Sequence, residues 1–433
     1  MKKLIPQSLK NIYHLFQAIW ANVWFGWPTR KLIVIGITGT DGKTTTCQMV
    51  TRILEEAGNP VKPDGYGARK VAMASTINFR INGKEEKNLS HLTTLSAFAV
   101  QKFARQAVEA GCEYLVLETS SHALDQQRVW GINYKTAVIT NVTREHLDYH
   151  KTMENYREAK AKLFHHAQIA IVNADMINPE EFLQYNNKEK YTYSIKDTKN
   201  KIQETNKSQS IVAENIKLGI GASEFTVKDQ KFALHLIGDF NIENALAAIS
   251  VGVAEDISLA TCASALEKIS GVPGRMEYVP NDRDLNILVD FALTPDALEK
   301  LYALLVRIKK PAARVIAVFG ACGERDRGKR PIVGEVVSRF ADFVIVTNDD
   351  LFHEDPAQII ADIVAGIKSK EENNNFWIIP DRRAAIAKAL QLAQSDDIIA
   401  VTGMGAEETM VVGDQKIPWN DRVAILEELA KMK

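Results

Sequence analysis

Apolar positions along the chain change period several times, and each change marks an element. Residues 11–27 are apolar and aromatic at helical spacing, interrupted by His14, Gln17 and Asn22 and closed by Pro28, with Arg30 and Lys31 behind. The run is short for a membrane span and lacks a small-residue cleavage site, so it predicts a helix packed on its neighbour. An interfacial helix with its tryptophans at headgroup level is the sharper alternative. A β-branched run from Leu32 to Ile37 then predicts a buried strand, and Met49, Val50, Ile53 and Leu54 predict the buried stripe of a following helix. After a Gly/Pro-rich region (Gly58 to Gly67), Asn82-Gly83 predicts a hairpin turn, and an amphipathic helix ends near Gly111. Tyr114–Glu118 reads as a buried strand ending in a carboxylate. Residues 176–237 are β-rich, with the polar stretch from Asn186 to Ser210 expected as surface loops. Gly271-Val-Pro-Gly274 is a turn-rich hinge. Beyond it, strands at Asn286–Asp290, Val315–Phe319, Phe343–Thr347, Phe376–Ile379 and Ile398–Thr402 alternate with helical segments, the pattern of a mostly parallel sheet.

Between the first strand and helix lies Gly39-Thr40-Asp41-Gly42-Lys43-Thr44-Thr45. Glycines let a turn's backbone approach a phosphate, and the free N–H groups of a helix N-terminus favour negative charge. Lys43 can reach outer phosphates as a point charge, and the Thr44 hydroxyl can ligate Mg²⁺. The first glycine stands where a shorter, specialised loop would put it, since Ile37 occupies the usual position. The expected fold is α/β: a central P-loop ATPase domain with a parallel sheet (31–270) and a C-terminal Rossmann-like domain (271–433), preceded by an apolar helical segment (1–30). At 433 residues, with 46% hydrophobic positions, the chain is long enough for two or three such units. A net charge of −1 argues against a nucleic-acid partner. The four cysteines are isolated, with no zinc spacing, which fits a reducing cytoplasm.

Several runs occur in order: Thr119-Ser120-Ser-His122-Ala-Leu-Asp-Gln126-Gln-Arg128, Thr140-Asn141 through His146-Leu-Asp148-Tyr-His150, and Tyr156-Arg-Glu-Ala-Lys160. Gly238-Asp-Phe-Asn241-Ile-Glu-Asn244, Gly271 to Arg275, Asp290 to Asp296, and Gly323-Glu-Arg325 to Pro331 continue the series. From residue 32 onward the chain resembles the Mur ligase family, ATP-dependent amide-forming enzymes that build the peptide stem of peptidoglycan, in the branch that adds the third residue. The resemblance implies ATP and Mg²⁺, with Thr44, Glu118, His146 and Lys160 at the metals and Lys160 carbamylated. It places Asn241 and Asn244 near the adenine, with Arg275 and Asp290 facing the nucleotide across a cleft. Thr93, Thr94, Ser120, Gln126 and Arg128 match residues that hold the anionic acceptor, a muramoyl-peptide type. An arginine fork suits a carboxylate or phosphate. His122, Asp148 and His150 are expected to support the site indirectly. Independently of the family, an ammonium such as that of Lys160 on the apolar face of Met153, Tyr156, Leu163 and Phe164 is costly unless paired, neutralised or modified.

The sequence departs from the family in three places. Leu293 replaces a histidine within Asp290–Asp296, which bears on nucleotide packing or on the second substrate. The family carries a uridine-binding domain of about one hundred residues, a small-domain size, before the loop. Thirty-eight residues precede Gly39 in this sequence, so the acceptor site is expected not to depend on such a domain within it. The diaminopimelate-adding branch carries Asp-Asn-Pro-Arg where this chain has Asp349-Asp350-Leu351-Phe352. Phe352 cannot grip a distal carboxylate. Arg325 matches the α-carboxylate ligand, and Asp349, Asp350 and Glu407, if they converge, favour a distal ammonium such as that of lysine or ornithine. The expected reaction activates a carboxylate as an acyl phosphate and forms an amide. A folylpolyglutamate or poly-γ-glutamate type of ligase and a non-catalytic nucleotide-binding scaffold are the competing readings.

Overall fold

The β-branched run forms β1 (Ile33–Thr38), buried over nearly its whole length between parallel neighbours, as a strand apolar on both faces requires. The computed structural model describes residues 7–57, 69–88, 90, 92–195, 208–219 and 221–432. Ahead of β1 lies α1 (Gln7–Phe25). After it come α2 (Lys43–Glu56), β2 (Val71–Ala74), β3 (Asn78–Ile81), β4 (Lys84–Lys87), α3 (Ala97–Glu109), β5 (Tyr114–Glu118) and α4 (Ser121–Asp125). Next are β6 (Tyr134–Ile139), α5 (Leu147–His150), α6 (Met153–Ala161), β7 (Ile169–Asn173), α7 (Glu180–Leu183) and β8 (Glu189–Ser194). Three strands, β9 (Gln209–Gly219), β10 (Ala222–Val227) and β11 (Gln230–Leu234), lead to α8 (Asp239–Ala254) and α9 (Leu259–Glu267).

These strands form one sheet in the order β11-β10-β9-β8-β7-β6-β1-β5-β2-β3-β4. From β9 across to β2 every neighbouring pair is parallel, while both edges finish in antiparallel pairs. Asn82 and Gly83 take the left-handed backbone that a tight hairpin between β3 and β4 needs. Ile37 lies beside Glu118, and Thr38 beside Ile139. The glycine loop, the end of β5 and the Thr140-Asn141 turn therefore share one carboxyl edge of the sheet, where α/β folds bind ligands.

The second sheet is built from β12 (Glu277–Val279), β13 (Asn286–Asp290), β14 (Val315–Phe319), β15 (Phe343–Val346), β16 (Phe376–Ile378) and β17 (Ile398–Thr402). Its order is β12-β13-β17-β14-β15-β16, parallel except for β12. Helices α10 (Pro295–Ile308), α11 (Arg330–Phe340), α12 (Pro356–Val364), α13 (Arg382–Leu392) and α14 (Asp421–Lys431) cover it, and a hairpin of β18 (Thr409–Val412) and β19 (Gln415–Pro418) stands apart. Each sheet carries apolar clusters on both faces.

Two local expectations change. The polar stretch from Asn186 to Ser210 is not all surface loop. Glu189–Ser194 is β8, with Tyr191 and Tyr193 buried and the Tyr193 hydroxyl donating to the Ile139 carbonyl at 2.9 Å. The alternation there is carried by tyrosine and threonine, which polar neighbours conceal. Residues 196–207 lie outside the described residues, as does the Gly58–Gly67 region. The helix bearing Lys160 ends at Ala161, so Leu163 and Phe164 are buried from the turn beyond it rather than along its face.

Candidate active site

The loop after β1 is held shut by its neighbours. Gly39 (φ 152°) and Gly42 (φ 81°) take backbone conformations that side chains disfavour. A Cβ at Gly39 would stand 1.8 Å from Thr140 Oγ1, and one at Gly42 would stand 2.2 Å from Asn244 Oδ1. Thr140 Oγ1 donates to the Asp41 carbonyl at 2.6 Å, and Asn141 Oδ1 accepts from the Asp41 N–H at 3.0 Å. On the other side Asn241 Oδ1 accepts from Asn244 Nδ2, and Thr46 Oγ1 donates to Asn244 Oδ1. Thr45 is buried in the first turn of α2, whose N-terminus has no side-chain cap. Free N–H groups at an uncapped helix start, behind two glycines, form an anion cradle.

Two lysines lean on this loop. Lys43 Nζ donates to the Thr40 carbonyl at 2.7 Å and Lys160 Nζ to the Gly39 carbonyl at 2.6 Å. Lys160 is buried, and its ammonium lies 4.3 Å from the Tyr156 ring centroid. Burial, with the charge of Lys43 second, holds the Lys160 pKa well below the usual lysine range. Glu118 is also buried; its Oε2 accepts from Thr44 Oγ1 at 3.0 Å and from the Thr76 N–H at 2.8 Å. Thr76 Oγ1 donates to Oε1 at 2.8 Å. A hydroxyl and a carboxylate this close beside an anion cradle match the hard oxygen donors that Mg²⁺ takes.

Beyond the loop, rings cluster. His146, in left-handed backbone, meets His122 edge-on at 4.6 Å between centroids, and His122 lies 4.4 Å from Tyr149. Burial lowers all three histidines: His122 to about 3, His150 to about 4, and His146 further still. Each is therefore a neutral imidazole at neutral pH, the form that binds a metal. His150 Nε2 lies 3.0 Å from Ser121 Oγ. Asp148 is exposed on the short α5.

The acceptor candidates gather beside Glu118. Thr94 Oγ1 donates to the Glu118 carbonyl at 2.9 Å and accepts from the Ser120 N–H at 2.8 Å. Arg128 Nη1 donates to the Thr94 carbonyl at 2.5 Å, while its buried Nε has no hydrogen-bond partner. A guanidinium with an unmet donor is suited to an incoming anion. Gln126 ends α4 beside Tyr149. Thr93 is half-buried next to Thr94, with no hydrogen bond to the group.

The C-terminal candidates face the loop. Arg275 lies over the Phe291 ring at 4.4 Å, and Asp290 accepts from the Met276 and Ala292 N–H groups at 2.7 Å each. Burial raises the Asp41 pKa, Lys43 draws it down, and Lys300 and Arg275 add to that pull from across the cleft. Asp349 and Asp350 follow β15 and come within 4.8 Å of each other and of Cys322. Asp349 Oδ2 is buried without a hydrogen bond. Burial lifts the Asp349 carboxyl to about 6 and Glu407 to about 7, with Asp350 pushing both upward. Arg382 draws Asp349 back down, and Glu407 feels the charges of both aspartates. Arg325 is exposed, 5.4 Å from the Phe352 ring centroid. A cavity of about 380 Å³ between the sheets is lined by Thr76, Asn78, Arg275, Phe291 and Glu407, among others.

Two family models match the chain: the Mur ligase middle domain over residues 37–252 and the Mur ligase glutamate ligase domain over 274–405. A UDP-N-acetylmuramoyl-L-alanyl-D-glutamate–2,6-diaminopimelate ligase of Clostridium tetani is 37% identical over 421 residues, 96% of this chain and 81% of that protein. The chain belongs to the Mur ligase family. A UDP-N-acetylmuramyl-tripeptide synthetase of Roseiflexus sp. is 38% identical, covering 95% of this chain and 81% of its own length. A solved diaminopimelate ligase structure superposes with a TM-score of 0.63 at 29% identity, covering 99% of this chain and 84% of its own. Folylpolyglutamate synthase of Mycobacterium tuberculosis reaches a TM-score of 0.70, covering 91% of this chain and 96% of its own, but at 16% identity it shares the fold alone.

This Mur ligase is an ATP-dependent ligase, and the family uses ATP with Mg²⁺. Sequence reasoning missed four of its site-building residues. Thr140 and Asn141 clasp the glycine loop, yet they lie about one hundred residues downstream. Thr76 orients Glu118 from an edge hairpin. Lys329 Nζ bonds to Glu145 Oε1 at 3.1 Å, and this buried pair ties the second sheet's side of the cleft to the first. Thr140 and Asn141 stood in a noted run, and the apolar Ala137-Val-Ile139 before them was the available signal for a strand ending at the same edge.

Proposed function

We propose that the chain joins a cationic amino acid, lysine or ornithine, to the free carboxylate of a muramoyl-dipeptide-type acceptor in peptidoglycan precursor synthesis. The relatives' names supply the acceptor class, and one observation supports the amino acid: Asp349 and Asp350 lie together in the turn where Phe352 stands in place of an arginine, and their charges reach Glu407. Asp349 and Glu407, held above their ordinary pKa by burial, are relieved by an ammonium. Phe352 offers a distal carboxylate no donor. Arg325 would hold the α-carboxylate.

In this reading residues 31–270 bind ATP and acceptor, residues 271–433 bind the amino acid, and the 1–30 segment lies outside the chemistry. Gly39 to Thr45 cradle the phosphates, with Asn241 and Asn244 towards the adenine and Arg275 and Asp290 opposite. Thr93, Thr94, Ser120, Gln126 and Arg128 hold the acceptor carboxylate near the γ-phosphate. Transfer of the γ-phosphoryl group to that carboxylate gives an acyl phosphate and ADP. The amino acid's neutral amine attacks the acyl carbon, phosphate leaves with the C–O bond electrons, and the amine loses a proton as the amide forms. Thr44, Glu118, His146 and a carbamylated Lys160 would hold Mg²⁺, which lowers the repulsion between the two reacting anions. Carbamylation needs a neutral amine to attack CO₂ with loss of a proton, and the lowered pKa of Lys160 supplies it. The cysteines, all free, fit a cytoplasmic enzyme.

Competition among lysine, ornithine, diaminopimelate and neutral amino acids tests the proposal. Preference for the two cationic amino acids is expected; a clear preference for diaminopimelate overturns it. Folate-type acceptors form a second arm, and their use in place of muramoyl peptides points to the folylpolyglutamate class.

A further inference from the structure

Helix α1 is turned to the body along one face only. Ala18 and Ala21 are buried towards α3, Asn22 Nδ2 donates to the Ala18 and Trp130 carbonyls at 2.8 and 3.0 Å, and Asn11 Nδ2 donates to Asp125. These contacts fix the helix's rotation. The other face carries Leu9, Tyr13, Phe16, Trp20, Val23 and Trp24 at helical spacing, and Phe16, Trp20 and Trp24 are 66%, 58% and 68% exposed. So continuous an apolar stripe marks an interaction surface.

We propose that this face of α1 is a peripheral docking surface that lies on an anionic lipid bilayer. Its composition points there, because tryptophan and tyrosine settle at the headgroup level while aliphatic side chains reach the acyl boundary. Charge points the same way. Up to Asp41 the sequence holds Lys2, Lys3, Lys10, Arg30 and Lys31 and no acidic residue, in a chain whose net charge is −1. A groove of about 1050 Å³ opens where the helix ends, lined by Trp27, Arg30 and Trp130 among others; its Lys135 is paired with Glu255 and its Lys162 with Asp125. Arg30 lies 4.0 Å over the Trp27 ring. A second copy is a poor occupant: antiparallel pairing would set Lys10 against the Arg30-Lys31 end, and Asp125, the carboxylate beside Asn11, is already paired with Lys162. No helix among the described residues is long and apolar enough to cross a membrane, so α1 rests in the interface.

The purified full chain is floated with phosphatidylcholine vesicles, with and without phosphatidylglycerol. It is expected to bind the anionic vesicles, to release at high salt, and to show tryptophan quenching by brominated lipids. Trp20→Glu with Trp24→Glu, both exposed changes, should weaken binding by on the order of tenfold or more. Lys10→Glu with Lys31→Glu should weaken it comparably at low salt only. Both variants should keep the wild-type melting temperature and ATP affinity. Absence of wild-type binding to anionic vesicles overturns the proposal, as does binding that survives the tryptophan changes. A concentration-dependent dimer that those changes abolish, without vesicle binding, assigns the face to a second copy and also overturns it.

Discussion

At the scale of single residues, the site depends on charged groups fixed by hydrogen bonds. Glu118 sits between Thr44 and Thr76 with both oxygens hydrogen-bonded, and Lys43 folds over the loop that precedes it. Removing either group leaves the reacting anions less compensated. Lys43→Ala and Glu118→Ala are each expected to lower amide synthesis by about a hundredfold or more, with melting temperatures close to wild type. Substantial product from either folded variant contradicts the assignment. Lys160 makes a sharper test because its amine is buried and its pKa is low. Lys160→Ala should lose activity and regain part of it with added short-chain carboxylates, whereas full activity without rescue refutes a carbamate. None of this depended on seeing His122 or Tyr156 stacked near the loop. Those contacts join residues far apart in sequence, and no local pattern announces them.

At the scale of elements, the proposed specificity rests on the turn after β15. Phe352 takes left-handed backbone beside Arg325, and the charges of Asp349 and Asp350 raise the Glu407 pKa. Asp350→Asn with Phe352→Arg should shift preference towards diaminopimelate by about ten- to a hundredfold, the worth of charge-assisted bonds to a carboxylate. Competition assays read the change directly. The same turn predicts a pH effect. Asp349 and Glu407 ionise near 6 and 7, above their ordinary values, so their negative charge grows as pH rises from 6 to 8. Lysine keeps its distal ammonium over that range. Its dissociation constant should therefore fall as pH rises, and that of a neutral amino acid should change little; calorimetry at several pH values checks this. Elements such as β13, β14 and β17 were legible to the residue, because buried parallel strands are short, apolar and bounded by turns. β8 was not, because its buried face is built of tyrosine and threonine within a polar stretch. From sequence α1 read as a helix packed on its neighbour, with an interfacial helix as the alternative, since periodicity reports a face and not what covers it.

At the scale of the whole molecule, two sheets bring their carboxyl edges to one cleft, with Lys329 and Glu145 buried between them. The first side offers an anion cradle and an arginine with an unmet donor; the second offers Arg275 with Glu407, and the pair Asp349 and Asp350. Ordered motifs made this division of labour readable from the sequence. The clasp of Thr140 and Asn141 on the loop was hidden, because it joins turns that only the sheet's register sets side by side. The cleft is proposed to couple ATP cleavage to amide formation between two bound substrates. Phosphate release from ATP, measured with and without a muramoyl-dipeptide acceptor and with and without lysine, tests it most directly. Sustained release that requires both substrates, with an equal amount of amide formed, is the predicted result. Nucleotide binding with no acceptor-dependent release would contradict the account and leave a scaffold that binds ATP without turning it over.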